Sequence, residues 1–218
     1  MKLSKLFTVV LFTSVLTIST ISNSLSAQKL NNKPELDEQV QAFLEDNRRS
    51  WRDMNIPAVD GQILHDIIVE NGYTQALEIG TSTGHSAIWI AWALSKTGGK
   101  LITIEIDEDR YNEALENFEE AGLSEYIDAR LENAHTLVPE LEGPFDFVFS
   151  DADKDWYTNY FKAVDPNLVV GGCFTAHNIG RGRGGTADFY EHISSLSNYE
   201  TTLNSTGNGV SISYKRGE

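Results

Sequence analysis

A run of carboxylates around one lysine is the part of this 218-residue sequence that most directly suggests chemistry. The run is Ser150-Asp151-Ala152-Asp153-Lys154-Asp155, and it follows the largely apolar stretch 145–149. If that stretch is a strand of an open parallel sheet, the run lies at the carboxyl edge, where such sheets bind their ligands. Three carboxylates beside a lysine favour a bound cation or a proton transfer over a solvated turn.

A second polar pair, His177-Asn178, follows the mainly apolar stretch 172–176 and is expected at the same edge. Asp151, His177 and Asn178 then offer an oxygen, a nitrogen and an oxygen donor to one divalent cation. We therefore predict a metal site formed by these three side chains, with Mg, Mn or another divalent ion left open.

A glycine-containing turn, Gly80-Thr81-Ser82-Thr83-Gly84-His85-Ser86, lies between a predicted strand and a predicted helix. Its two glycines allow a sharp turn and a close approach to a ligand, and the helix amides after it can meet a polar or anionic group. The pattern is neither the dinucleotide fingerprint nor a P-loop, which disfavours a nicotinamide oxidoreductase and a nucleoside triphosphatase. Glu105 ends the next strand, where nucleotide-binding α/β folds place an acceptor for ribose hydroxyls.

The elements that must position these residues alternate along the chain. We predict strands at 76–80, 101–106, 126–131, 145–150 and 172–176, and helices at 86–95, 108–121, 135–141, 155–164 and 186–196. Two amphipathic helices, 35–52 and 58–70, come first, and the last two strands, 199–204 and 210–215, flank Gly207-Asn208-Gly209 as a hairpin. This order predicts an α/β fold with a seven-stranded, mostly parallel sheet and a C-terminal antiparallel hairpin.

The charge and the cysteine content narrow the class of protein. A formal net charge of -15 opposes binding to nucleic acid or to anionic membranes, so we expect a small-molecule partner and no nucleic acid. The length suits one α/β domain. Cys173, the single cysteine, cannot form an internal disulfide and fits a packed strand.

The first 27 residues have the layout of a secretory signal peptide. Lys2 and Lys5 precede the uncharged, mostly apolar run 6–20 and then the small-residue stretch 22–28, and the apolar run is short for a membrane span. We therefore expect export to the periplasm or the medium, with no membrane attachment after cleavage. An uncleaved anchor stays open, and so does a cytoplasmic location if the segment is not a functional signal.

Longer motifs carry a family resemblance that covers the chain from Met54 to the C-terminus. They are Met54-Asn-Ile, Gly61-Gln-Ile-Leu, Leu77-Glu-Ile-Gly-Thr-Ser-Thr-Gly-His-Ser, Thr103-Ile-Glu-Ile-Asp and Phe147-Val-Phe-Ser-Asp-Ala-Asp-Lys-Asp-Trp-Tyr. With these motifs the chain resembles the cation-dependent class I O-methyltransferases of the catechol and caffeoyl-CoA type. The resemblance implies a Rossmann-like fold and methyl transfer from S-adenosylmethionine (SAM) to a hydroxyl group of a small molecule.

The resemblance also implies roles for single residues. The implied cofactor-binding residues are Ile56, Glu78, Gly80, Gly84, Ser86, Glu105, Ala134 and Asp151. Lys154 is the implied base, Asp151 is its catalytic partner, and Asp151, His177 and Asn178 form the implied metal site. The domains are then a signal peptide at 1–27, a leader and helix at 28–53 and a methyltransferase domain at 54–218. Relatives of this type are often dimers, so a homodimer stays open.

The sequence departs from the family pattern at the predicted metal site. Where the family has an Asp-Asn pair, this chain has His177-Asn178, which favours Mn, Fe or Zn over Mg. His85 stands in a usually aromatic position, and no C-terminal carboxylate corresponds to the one that anchors a catechol hydroxyl. A catechol-like acceptor is therefore not implied.

Two further interpretations stay open. The cofactor is made in the cytosol whereas residues 1–27 indicate export, so the chain is alternatively an exported binding protein that retains the fold without catalysis. Arg181 and Arg183, in a glycine-rich stretch after the predicted metal strand, either bind an anionic acceptor or belong to a surface loop.

Overall fold

The computed structural model describes residues 30–51, 54–180 and 184–218. The predicted signal peptide 1–27 and the arginine-containing segment 181–183 lie outside the described residues. Within the described ranges, no helix has both the length and the apolar character needed to cross a membrane.

In the described part of the chain, seven strands form one sheet in the order β3-β2-β1-β4-β5-β7-β6. The strands are β1 Gln75–Ile79, β2 Lys100–Glu105, β3 Ile127–Leu131, β4 Phe145–Ser150, β5 Leu168–His177, β6 Tyr199–Asn204 and β7 Val210–Lys215. Strands β1 to β5 pair in parallel, and β7 pairs antiparallel with both β5 and β6. The α/β fold predicted from the alternating pattern, with its closing hairpin, is therefore confirmed.

Strand β5 is longer than predicted. It begins at Leu168 instead of Gly172, because Leu168 pairs with Phe145 before a shift in register brings Cys173 opposite Phe147. The irregular pairing lets Gly171, which the prediction left outside the strand, lie within it together with Gly172.

Among the described residues, seven α-helices pack on the two faces of the sheet. They are α1 Pro34–Asp46, α2 Ala58–Asn71, α3 His85–Thr97, α4 Glu108–Glu120, α5 Ala134–Leu137, α6 Tyr157–Val164 and α7 Gly185–Ser194. Helix α1 ends at Asp46, six residues before the predicted boundary. Alternate residues of β1 enter opposite layers: Ala76 packs with α2 and α3, whereas Leu77 and Ile79 pack with α6 and α7.

The parallel pairing places the predicted functional residues at one edge. Ile79 is opposite Ser150, and Ser150 is opposite Ala176, so β1, β4 and β5 end side by side. Gly80 follows directly with φ of 102°, and a Cβ at this position would lie 2.9 Å from the backbone nitrogen of Ala152. Only a residue without a side chain fits this close approach of two strand ends.

Candidate functional site

A cavity of about 630 Å³ opens at the carboxyl edge of the parallel strands. Its wall includes Gly80, Glu105, Ala134, Asp151, Lys154 and His177, which come from the ends of β1, β2, β4 and β5 and from the start of α5. The cavity thus joins the predicted cofactor residues to the predicted catalytic residues, as ligand sites of open α/β sheets do.

The predicted cofactor-binding residues divide into two groups by position. Gly80, Glu105, Ala134 and Asp151 line the cavity, whereas Ile56, Glu78, Gly84 and Ser86 are not part of its wall. A Cβ on Gly84 would lie 2.5 Å from the ring of Phe118, so this glycine allows helix α3 to pack closely against α4. The direct cofactor roles of both groups stay predictions.

Glu78 is fully buried beside β2. Its Oε2 accepts a hydrogen bond from the hydroxyl of Thr103. Burial raises the pKa of Glu78 to about 8, against the opposing effect of hydrogen bonds from Ser86 and Thr103, while the negative charges of Asp151 and Glu105 raise it further. The carboxyl group of Glu78, behind the cavity wall, therefore holds its proton to a higher pH than an ordinary glutamate does.

Glu105 is held in a fixed orientation by backbone amides. Its Oε2 accepts from the amide of Ser82 at 2.7 Å, and its Oε1 accepts from the amides of Ile106 and Asp107 at 3.0 Å each. A carboxylate has about four acceptor directions, so one remains for a ligand hydroxyl at the cavity. Ile106, next in the chain, is an apolar side chain that is 67% exposed on the cavity wall.

Asp151 and Lys154 are brought together, as predicted. Nζ of Lys154 contacts Oδ1 of Asp151 and donates to the carbonyl oxygen of Asp151 at 3.0 Å. The hydroxyl of Tyr157 lies 3.4 Å from the same Oδ1, and burial raises the pKa of that hydroxyl well above its ordinary value. The ammonium group of Lys154 thus lies at the cavity wall, and the Asp151 carboxylate beside it is also held by the hydroxyl of Tyr157.

Sequence reasoning missed Asp60 in helix α2. This carboxylate is 0% exposed, and its Oδ2 lies 2.9 Å from Nε2 of His177 and accepts from the amide of Asn208 at 2.9 Å. Its one signal in the sequence is helical spacing, which puts it on the same face as the buried Leu64 and Ile67. An acid on the buried face of a helix needs a partner, but the spacing does not identify His177.

His177 lies between two carboxylates. Its Nδ1 is 3.0 Å from Oδ2 of Asp151, and its Nε2 is the atom bonded to Asp60. Burial alone lowers the pKa of His177, but the hydrogen bonds and the negative charges of Asp151 and Asp60 outweigh it and raise the pKa to about 9. His177 is therefore a buried cation at neutral pH.

The three predicted metal ligands do not fit a divalent cation in this arrangement. Both ring nitrogens of His177 bond to carboxylates, and the two oxygens of Asp151 contact His177 and Lys154. Asn178 lines the cavity, but among the described residues no group of three or more His, Cys, Asp or Glu side chains is arranged to hold a metal ion. The prediction did not include Asp60, whose carboxylate is hydrogen-bonded to Nε2 of His177.

His85, the other departure from the family pattern, has a structural role. Its Nδ1 donates to the carbonyl oxygen of Ile56 at 2.9 Å, its Nε2 accepts from Trp89 at 3.2 Å, and its ring stacks on Trp51 at 4.5 Å. Burial lowers the pKa of His85 to about 4, against a smaller opposing effect of the Ile56 carbonyl. The neutral ring thus connects α3 to the segment before α2. The carbonyl oxygen of Ile56 accepts its hydrogen bond from this ring.

Comparison with known proteins connects this site to one family. The family model described as O-methyltransferase matches residues 24–182. Over 90 residues the chain is 44% identical to a catechol O-methyltransferase from Niastella koreensis, covering 39% of this chain and 40% of the relative. Over 130 residues it is 34% identical to caffeoyl-CoA O-methyltransferase 1 from Eucalyptus globulus, covering 57% and 52%. The chain thus matches about half the length, or less, of these relatives.

Solved structures match more of the chain. An O-methyltransferase from Streptomyces achromogenes involved in tomaymycin synthesis, in complex with SAM, is 25% identical with a TM-score of 0.70, covering 86% of this chain and 92% of that one. An O-methyltransferase from Bacillus cereus, in complex with S-adenosylhomocysteine (SAH), is 26% identical with a TM-score of 0.69, covering 85% and 92%. The sheet and its hairpin are therefore shared with proteins solved with this cofactor or its product.

Proposed function

This chain belongs to the O-methyltransferase family, and from that premise we propose that it transfers a methyl group from SAM to a hydroxyl group of a small molecule. The observation that carries the proposal is that the wall of one cavity contains both Glu105 and the Asp151–Lys154 pair. A cofactor held at Glu105 and an acceptor held at Lys154 would share one cavity, which gives the proximity that methyl transfer requires.

The cofactor half of the cavity supports a nucleoside. Glu105 presents a fixed carboxylate to ribose hydroxyls, and the exposed Ile106 beside it offers an apolar surface to a planar base. Gly80 lies on the same wall, at a turn where a side chain would collide with the backbone of Ala152. Ala134, at the start of α5, lies on the same wall and is proposed to flank the base.

The catalytic half supports proton transfer from the acceptor. Methyl transfer breaks the sulfur–methyl bond, forms an oxygen–methyl bond and leaves the electron pair on sulfur as SAH. The acceptor hydroxyl loses its proton, and Nζ of Lys154, at the cavity wall, is placed to accept it as a neutral amine, which the transfer converts to an ammonium group. Asp151 holds that nitrogen through its Oδ1, and the positive charge of His177 lies behind Asp151.

A divalent cation bound at Asp151, His177 and Asn178, as the sequence predicts, would lower the pKa of the acceptor hydroxyl and orient it. The donor set does not fit such an ion, because His177 has both ring nitrogens bonded to carboxylates. The proposed mechanism therefore contains no step at a metal.

The acceptor is proposed as a small hydroxyl compound. The net charge of -15 disfavours a nucleic acid acceptor. Catechol and caffeoyl-CoA occur in the names of the relatives, and this chain is proposed to share with them the hydroxyl chemistry. On the pattern of residues 1–27 we also propose that the protein is exported, and a homodimer remains an open proposal for its assembly.

The experiment combines titration with turnover. Purified chain is titrated with SAM by calorimetry, and SAH formation is then measured with a panel of phenols and catechols, for the wild type and for Lys154→Met. We expect both proteins to bind SAM and only the wild type to produce acceptor-dependent SAH. Absence of SAM binding by a folded wild type would contradict the proposal. Binding without turnover on any acceptor would favour the exported, non-catalytic binding protein.

A further inference from the structure

The ring of His177 is held from both sides by carboxylates, at 3.0 Å on the Asp151 side and 2.9 Å on the Asp60 side. Each contact of this length between a ring nitrogen and a carboxylate oxygen contains one hydrogen atom. Each of the two ring nitrogens is therefore engaged in a hydrogen bond with a carboxylate. A metal ion needs a free ring lone pair, and His177 has none left for this purpose.

The same two hydrogens determine the charge of the cluster. Two carboxylates and one imidazole that share two hydrogens carry a net charge of -1, wherever the hydrogens lie. Lys154, in contact with Oδ1 of Asp151, adds +1 in its ammonium form, before it takes part in proton transfer, so these four side chains are then together neutral. A divalent cation would enter a cluster that has no excess negative charge to offset its loss of hydration.

The side chain of Asp60 is enclosed by the residues around it and hydrogen-bonded to them. The loop 207–209 closes over the carboxylate, because the amide of Asn208 donates to Oδ2 and a Cβ on Gly207 would lie 1.9 Å from Oδ1. Oδ1 is buried and has no hydrogen-bond partner among the described residues. A carboxylate enclosed in this way requires a counter-charge, and the His177 ring is the side chain that supplies it.

We propose that Asp60, His177 and Asp151 form a hydrogen-bonded array that takes the place of a divalent cation, so that the chain binds no catalytic metal. In this array His177 is a positioning residue that fixes Asp151, and Asp151 in turn fixes Nζ of Lys154. One consequence concerns the acceptor class: a single hydroxyl suffices, because no metal has to be chelated by two neighbouring oxygens. The consequence for catalysis rests on the proposed function, but the claim about metal binding does not.

The test measures Mn²⁺ binding to the full chain with SAH present, by the loss of the paramagnetic signal of free Mn²⁺. It compares the wild type, His177→Asp and the control His192→Asp, which makes the same change in helix α7 away from the cavity. We expect no stoichiometric Mn²⁺ in the wild type or in the control. His177→Asp, which removes the ring and adds a carboxylate beside Asp151, should bind Mn²⁺ about 10- to 100-fold more tightly than the control.

His177→Asp creates a buried group of three carboxylates that can prevent folding. The double variant Asp60→Asn/His177→Asp removes one of these charges and is measured in parallel. If neither variant folds, Mn²⁺ binding by the wild type alone decides whether the proposal holds. Stoichiometric binding of Mn²⁺ by the wild type would overturn the proposal. So would a Mn²⁺ affinity of the folded His177→Asp variants that is no higher than that of His192→Asp. Retained methyl transfer in excess chelator would support it. Failure of the wild type to bind SAH would instead reject the proposed function and leave the metal result valid.

Discussion

Asp60 and His177 are 117 residues apart in the chain, and their side chains meet at 2.9 Å in the buried floor of the site. Asp60 belongs to α2, which precedes the first strand, whereas His177 ends β5 near the far side of the parallel sheet. Met54 and Asn55, just before α2, also lie on the cavity wall. The N-terminal helical region therefore completes the site as well as covering the sheet.

Removing the Asp60 carboxylate should destabilise the fold strongly. Asp60→Ala leaves His177 with one carboxylate and a cavity beside it, and breaking a buried ion pair from one side costs about 3–5 kcal/mol. The measurement is the free energy of unfolding in urea. Asp66→Ala is the control, because Asp66 lies in the same helix with a side chain that is 51% exposed, and its loss should cost about 1 kcal/mol or less. Equal losses in the two variants would contradict the buried pairing.

The pH dependence of stability should show the contribution of His177. Its pKa is about 9 in the fold and 6.5 ordinarily, so its stabilising effect is complete below pH 6.5 and is lost as the pH rises through 9. The pKa of Glu78 is raised to about 8, so the stabilising effect of Glu78 is also lost as the pH rises from about 4.5 to 8. Because this effect is present in both proteins, subtracting the free energy of unfolding of His177→Gln from that of the wild type leaves the contribution of His177. The free energies of unfolding of the wild type and His177→Gln are therefore compared at pH 6, 7.5 and about 9.5. Their difference should shrink with rising pH, and a constant difference would contradict the role of the charge.

A side chain at position 80 should weaken cofactor binding. In Gly80→Ala the residue has φ of 102° and its Cβ would lie 2.9 Å from the Ala152 nitrogen, so the turn at the cavity wall must shift. Strain of this kind is on the order of 1–3 kcal/mol, and we expect SAM affinity to fall by about tenfold or more. Calorimetry measures the affinity and thermal unfolding measures the strain.

Gly171→Ala is the matched control for position 80. Gly171 also has a positive φ, 88°, but a Cβ there meets nothing within 4 Å, and the residue lies outside the cavity wall. It should lose stability from its backbone conformation alone and keep its SAM affinity. Equal SAM affinities of the two variants would show that the close approach at Ala152 does not matter for the cofactor.

The parts of the fold that could be predicted from sequence are those with local signals. The seven strands and the closing hairpin follow from apolar runs separated by helices and turns, and parallel pairing then brings Asp151, Lys154 and His177 to one edge. The start of β5 was misplaced, because the pairing of Leu168 with Phe145 precedes a shift in register that no local pattern encodes.

Part of the lining of the candidate site was predicted from the sequence, but the contacts within it were not, and the roles of its residues stay predictions. Asp151, His177 and Asn178 carry donor atoms that suit a cation, and this inference is sound for the three residue types alone. What it omitted is a fourth side chain from a distant helix, Asp60, which bonds to the ring nitrogen that a metal would need. Long-range partners of this kind depend on the packing of α2 against the end of β5, which the helical spacing of α2 does not specify.

Removing the charge of Glu105 should reduce SAM affinity more than it reduces stability. Glu105→Gln keeps an acceptor oxygen for the neighbouring amides but loses the carboxylate proposed to bind ribose hydroxyls. Hydrogen bonds to a charged group contribute about 1.5–3 kcal/mol, so affinity should fall by about 10- to 100-fold.

Glu108→Gln serves as the control for Glu105, because Glu108 is an exposed acid at the start of α4 and is not part of the cavity wall. SAM titration and thermal unfolding are measured on both variants. Glu108→Gln should retain the wild-type affinity, since the surface charge it loses is screened by salt. If Glu105→Gln lowers the unfolding temperature but binds SAM as tightly as Glu108→Gln, then Glu105 only supports the turn at Ser82, and the ribose contact must be assigned elsewhere.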